Sequence, residues 1–260
     1  MELIAYLGIK NLRVNFDFSL LCVLVIFEWY LISAFIPSHF GHLSSADQII
    51  IAVAVNVILI VSLVIHESAH VIVGSLEGIK IRQIVLFIFG GVHELQTSAL
   101  ESNGVNTSQT KLKFALAGPA ASILLAALFG IAWFLEFQEI NPKEIFLIKQ
   151  AMSLIFVYAS VGNGLLALLN LLPAIPLDGA EILNSIYRRR LREISESNKL
   201  NISKIISHSF LVFGFFAIFF VSFYSGLLLI MIAWGLRMGM QQYIALNWIP
   251  RHGTESRKIN

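Results

Sequence analysis

Apolar runs of membrane-spanning length, roughly 20 residues each, recur at about 16–36, 46–73, 112–137, 145–172, 205–224 and 226–246. They predict six transmembrane helices. The last two runs form one tract too long for a single crossing, and Ser225-Gly226 is the expected return turn. Behind the first run there is no small-residue cleavage site of the secretory kind, so it reads as a retained span. Between spans two and three, Ile79 to Leu95 is too short to cross as a helix. Its β-branched and aromatic residues around Phe89-Gly90-Gly91 predict two short strands dipping into the membrane edge. The stretch Thr97 to Gln109, rich in Ser, Thr and Asn, reads as a flexible polar loop. The expected fold class is therefore an all-α polytopic membrane protein with a short membrane-associated β-hairpin. It forms one domain over residues 1–260, with a core at about 46–190 and additional spans at 16–36 and 205–246. No internal repeat and no appended soluble domain is read.

Composition supports the membrane reading, because 57% of residues are hydrophobic and only 13% charged, beyond what a soluble core requires. A net charge of +2, with bases set beside apolar runs, gives no expectation of nucleic-acid binding. The positions of those bases are more informative. Lys10 and Arg13 precede span one; Lys80, Arg82, Lys111 and Lys113 separate spans two and three; Arg188, Arg189, Arg190, Arg192, Lys199 and Lys204 separate four and five; Arg251, Arg257 and Lys258 form the tail. The connection from Pro37 to Ser45 has none. Since Lys and Arg collect on cytoplasmic flanks, an integral cell-membrane protein with both termini cytoplasmic is expected. The single cysteine, Cys22, excludes an intrachain disulfide and any Cys-based zinc cluster.

Chemistry is concentrated at His66-Glu67-Ser68-Ala69-His70. Two imidazoles at i and i+4 share one helix face and can reach one zinc ion, and Glu67 beside the first can accept a proton from a zinc-bound water. Imidazole and carboxylate are costly inside an apolar helix, which argues for a task. A catalytic zinc still needs a third protein ligand, for which Asp178 is the leading candidate. It follows Asn170-Leu171-Leu172-Pro173-Ala174-Ile175-Pro176-Leu177, where two prolines keep the backbone irregular at membrane depth. Asp178 would equally serve as the N-cap of the next helix. Glu28, inside span one, is either functional, turned to the wet side or paired with Arg237. Asn163 shares a face with Asn170 and is expected to pack between helices. His93 and Glu94 follow the glycine pair, within reach of the metal, but are expected to be solvated as hairpin-end polar residues ordinarily are, and His39, His42, His208 and His252 are expected to be surface or interfacial.

The pair of motifs, HESAH on an early span and NLLPAIPLDGA at the end of a later one, resembles the site-2 protease family of intramembrane zinc metalloproteases. The resemblance extends to Gly90-Gly91 and Ala117-Gly118-Pro119 and covers about residues 60 to 185. It implies His66, His70 and Asp178 as ligands of one zinc ion per chain and Glu67 as the catalytic carboxylate. Asn170 is implied to place the substrate carbonyl or stabilise the oxyanion. It also implies transmembrane protein substrates, cut within the lipid bilayer near the cytoplasmic face. Two positions depart from the family pattern: Ala180 stands where a second glycine is common, and Ser122 where asparagine often follows. Two other readings remain open, an inactive relative that binds membrane proteins and a metal-ion carrier. Glu67 argues against the first, because a binding scaffold needs no base beside a ligand. The lack of an internal repeat argues against the second.

Overall fold

The computed structural model describes residues 13–40, 44–79, 81–87, 90–95, 108–138, 146–190 and 194–247. Lys10, Lys80, Arg192, the tail bases, Phe89, His42 and His252 lie outside the described residues, as do residues 97–107 of the expected polar loop. Ser108 and Gln109, placed in that loop above, open a helix instead.

The chain runs β1 (Arg13–Phe16), then α1 (Phe18–Tyr30), which continues through a π-turn at Leu31–Phe35 into α2 (Ile36–Phe40). Next come α3 (Ser45–Leu76), β2 (Ile81–Phe87), β3 (Gly90–Leu95), α4 (Ser108–Gln138) and α5 (Phe146–Asn170). The last three helices are α6 (Asp178–Arg190), α7 (Glu196–Phe220) and α8 (Phe223–Asn247). Among the described residues, six helical stretches are long and apolar enough to cross a bilayer: Phe18–Ser38, Ser45–Leu76, Ser108–Leu135, Ala151–Asn170, Glu196–Phe220 and Phe223–Ala245. The six expected spans are thus present.

Helix α3 shows how such a sequence folds. Val53, Val57, Val61 and Val64 are exposed on its outer side, whereas Ala52, Val55, Ser62, Leu63, His66, Glu67 and His70 are buried. The imidazoles and the Glu67 carboxylate therefore face the protein while a row of valines faces lipid. Ser44 caps the start, its hydroxyl accepting from the Asp47 amide. At 32 residues the helix is about 48 Å long, more than the roughly 30 Å of a hydrocarbon core. His70 lies six residues, about 9 Å, from its end.

The return between the last two spans differs from expectation. The helix breaks at Val221 and Ser222, not at Ser225-Gly226, and the Ser225 amide donates to the Ser222 hydroxyl at 3.1 Å. Gly226 is used for contact: a Cβ there would meet the Ile218 side chain and lie 2.6 Å from the Gly214 carbonyl oxygen, so the glycine lets α7 and α8 approach closely.

The hairpin forms as expected, with β2 and β3 antiparallel, but it belongs to a three-stranded sheet ordered β1-β2-β3. Strand β1 runs parallel to β2, Arg13 to Phe16 pairing with Gln83 to Leu86. Asp17 secures this unexpected strand. Its amide donates to the Leu86 carbonyl at 2.7 Å, one carboxylate oxygen accepts from the Ser19 amide at 2.8 Å, and the other accepts from Gln242 on α8 at 3.0 Å. Strand β2 buries Ile84, Val85, Leu86 and Phe87 in succession, so both its faces are covered. Phe87 packs with Val92, Ala174, Leu177, Ile232 and Leu236, which fixes the hairpin against the segment that carries Asp178.

Candidate metal centre

Four ionisable side chains from two elements converge inside the bundle, His66, Glu67 and His70 from α3 and Asp178 from the start of α6, and the hairpin closes over them. His66, Glu67 and His70 are 1%, 5% and 0% exposed. Isolated buried charges cost several kcal/mol each, so such a cluster persists only because its members pair with one another or with a cation.

Each imidazole is oriented from behind. His70 Nδ1 lies 2.8 Å from the Phe114 carbonyl oxygen, so Nδ1–H donates there and the Nε2 lone pair faces the centre. His66 Nδ1 lies 2.8 Å from the Ser122 hydroxyl. The two Nε2 atoms are 3.4 Å apart, His66 Nε2 is 3.3 Å from Asp178 Oδ2, and His70 Nε2 is 3.2 Å from Asp178 Oδ1. A tetrahedral ion with bonds of 2.0–2.1 Å holds its ligand atoms about 3.3 Å apart. The donors therefore fit zinc, and Asp178 Oδ2, buried without a hydrogen bond, lacks the partner an ion would supply. Helix α4 leaves room for one. A Cβ on Gly118 would fall against the Nε2 atoms of both His66 and His70, so only glycine keeps that space open.

Donor atoms of His66, Glu67 and His70 also lie within 4.8 Å of one another, which makes Glu67 a conceivable ligand in place of Asp178. The arrangement favours Asp178. It spans both imidazoles, whereas Glu67 Oε1 stands 3.9 Å from His66 Nε2 and its other oxygen turns to the hairpin, 3.0 Å from His93 Nε2.

The segment between α5 and α6 delivers Asp178. Its Ile175 amide donates to the Ser203 hydroxyl of α7 at 2.6 Å, the Ile175-Pro176 peptide is cis, and Pro176 packs on Gly239 of α8. Gly179 sits where a Cβ would strike the Leu171 and Leu172 carbonyls. Asp178 occupies the first turn of α6, where a carboxylate is favoured, but its oxygens address the imidazoles rather than capping the helix. Asn170, 2% exposed, donates to the Leu166 carbonyl at 3.0 Å. Its amide oxygen would lie 3.6 Å from a Cβ on Gly90, which places it beside the hairpin tip and Glu67. Gly90 has φ +148°, a region open to glycine.

Both departures from the family pattern find partners here. Ser122 orients His66, and Ala180 packs with Ile175, Leu200 and Met240. Asn163 donates to the Ser62 hydroxyl at 3.0 Å and to the Ala159 carbonyl, the packing role expected of it. Glu28 is held by the Asn56 side-chain amide of α3, not by Arg237. His93 is the main correction: it is not solvated, its side chain is 10% exposed, and its ring packs 5.2 Å from His70 and 5.3 Å from Phe114. The signal that could have found it is strand alternation, once the hairpin register is known.

Comparison with known proteins gives the family and the fold. Residues 54–149 and 139–214 match the model of peptidase family M50. Rip3 of Mycobacterium tuberculosis, a zinc metalloprotease by name, is 32% identical over 182 residues, which are 70% of this chain and 43% of Rip3. The Synechocystis protein sll0528, also named a zinc metalloprotease, is 31% identical over 166 residues, 61% of this chain and 40% of that protein. The chain thus matches less than half the length of these curated relatives. Among solved structures, the fold is similar to a site-2 protease from Methanocaldococcus jannaschii, with a TM-score of 0.58 and 20% identity over 88% of this chain and 91% of that one. An integral membrane protein with a His-Glu-His cluster on its second span, this chain belongs to peptidase family M50.

Proposed function

We propose that the chain is a zinc-dependent endopeptidase that hydrolyses peptide bonds within the membrane-spanning segments of other proteins, near the cytoplasmic face of the cell membrane. One observation carries the reading: the ligand-spaced triangle of His66, His70 and Asp178, with Glu67 beside it, lies inside an apolar helix bundle. The basic flanks put the nearby end of α3 on the cytoplasmic side, with both termini there.

His66, His70 and Asp178 would hold one zinc ion. When bound, the ion polarises a carbonyl and makes a water more acidic. Glu67 takes a proton from the attacking water at Oε1, the oxygen facing the imidazoles, and returns it to the leaving nitrogen. Asn170 contributes an amide near the hairpin tip, suited to placing the scissile carbonyl. The covering spans keep bulk water low, which strengthens each of these interactions. Strand β3 is the rim of the sheet among the described residues. It offers main-chain groups to which an unwound substrate segment can add as a strand, with little side-chain selectivity.

The test is reconstitution in liposomes of defined orientation with a panel of single-span segments, and mapping of the products by mass spectrometry. Cuts clustered in the cytoplasmic half of the spans support the reading. Cuts only in soluble flanks would overturn it.

A further inference from the structure

Glu67 has two oxygens in different surroundings. Oε1 stands 3.9 Å from His66 Nε2, on the metal side. Oε2 stands 3.0 Å from Nε2 of His93, which β3 carries in register with Ile84. In this ring orientation the N–H lies off that line, and neither carboxylate oxygen nor His93 Nε2 has an aligned hydrogen bond. Each is thus the other's close polar neighbour, and catalytic hydrogen bonds commonly align only when substrate is bound. The hairpin confines the carboxylate sterically as well. A Cβ on Gly91 would fall on Glu67 Oε2 and one on Gly90 would lie 3.0 Å from Oε1. The His93 ring is itself fixed between His70 and Phe114.

Resting on the protease reading, we infer that His93 is a positioning residue for the catalytic base: its Nε2–H anchors Glu67 Oε2 and leaves Oε1 as the single proton-accepting oxygen toward the metal site. A glutamate side chain has three rotatable bonds, and a freely rotating carboxylate would spend much of its time out of reach of the attacking water. The hairpin therefore has a second task beyond contacting substrate. It brings the donor that orients the base, so displacement of β3 releases Glu67.

Two variants separate the donor from the packing. His93→Phe keeps a ring against Phe114 and His70 but removes the N–H; His93→Gln restores an N–H donor without the ring. Purified proteins in liposomes are compared for kcat and KM on one cleaved substrate, for zinc per chain, and for the visible absorption of the cobalt-substituted site. His93→Phe is expected to lower kcat about ten- to a hundredfold, the range for groups that orient active-site ligands, with KM, zinc content and cobalt spectrum unchanged. His93→Gln is expected to recover most of that loss. Full activity of His93→Phe overturns the inference, and so does a His93→Gln protein as impaired as His93→Phe, which would make the ring's packing the cause. Loss of zinc or an altered cobalt spectrum in both variants overturns it too, by making His93 part of the metal site. Failure of the wild-type protein to cleave any substrate sinks the protease reading instead, and is distinguishable because the cobalt spectra are read without turnover.

Discussion

The Ser122 hydroxyl lies 2.8 Å from His66 Nδ1, across the interface between the second and third spans. It fixes which nitrogen of His66 faces the metal site. Groups that hold ligand imidazoles typically contribute ten- to a hundredfold in metal affinity. Ser122→Ala is therefore expected to weaken zinc binding by about that factor in competition with a chromogenic chelator. Ser122→Asn should stay close to wild type. Equal affinity in Ser122→Ala would mean that the hydroxyl does not orient the ring.

Gly118 gives a steric counterpart. A methyl group there would press on the Nε2 atoms of both histidines, in the space an ion would share. Gly118→Ala is expected to lose bound zinc, read by elemental analysis, while helix content measured by circular dichroism is unchanged. A full complement of zinc in that variant would place the ion elsewhere.

Glu28 and Asn56 join the first span to the second within the membrane. Interhelical polar contacts of this kind are worth about 1–2 kcal/mol. Glu28→Leu should lower thermal stability in detergent by about that amount, with Glu28→Gln intermediate and specific activity per folded molecule preserved in both. A Glu28→Gln protein that is fully stable yet inactive would give this residue a catalytic role instead.

Much of the site was legible in the sequence, because two histidines four residues apart on a helix must share a face whatever the rest of the fold does. Asp178 was less so. Alone it reads equally as a helix cap, and only the contacts of Ile175 with Ser203 and of Pro176 with Gly239 explain why its oxygens point at the imidazoles. His93 was misplaced because a strand's side chains alternate between faces, and a one-residue shift in register would have turned it to solvent. Strand β1 was missed for a related reason. Four residues beside an apolar run carry little pattern of their own, and their parallel pairing with β2 depends on Asp17 reaching both Leu86 and Gln242. At the last turn, Ser225-Gly226 has the composition of a return, but close helix packing claimed the glycine and Ser222 took over the cap.

The most direct test of the central claim compares wild-type protein with Glu67→Gln in liposomes, measuring zinc per chain and cleavage of a transmembrane segment together. The account predicts about one zinc per chain in both, and cleavage reduced at least a hundredfold in the variant, the scale of general acid–base catalysis. Cleavage that persists in Glu67→Gln, or a zinc-loaded wild-type protein that cuts no transmembrane segment, would contradict it.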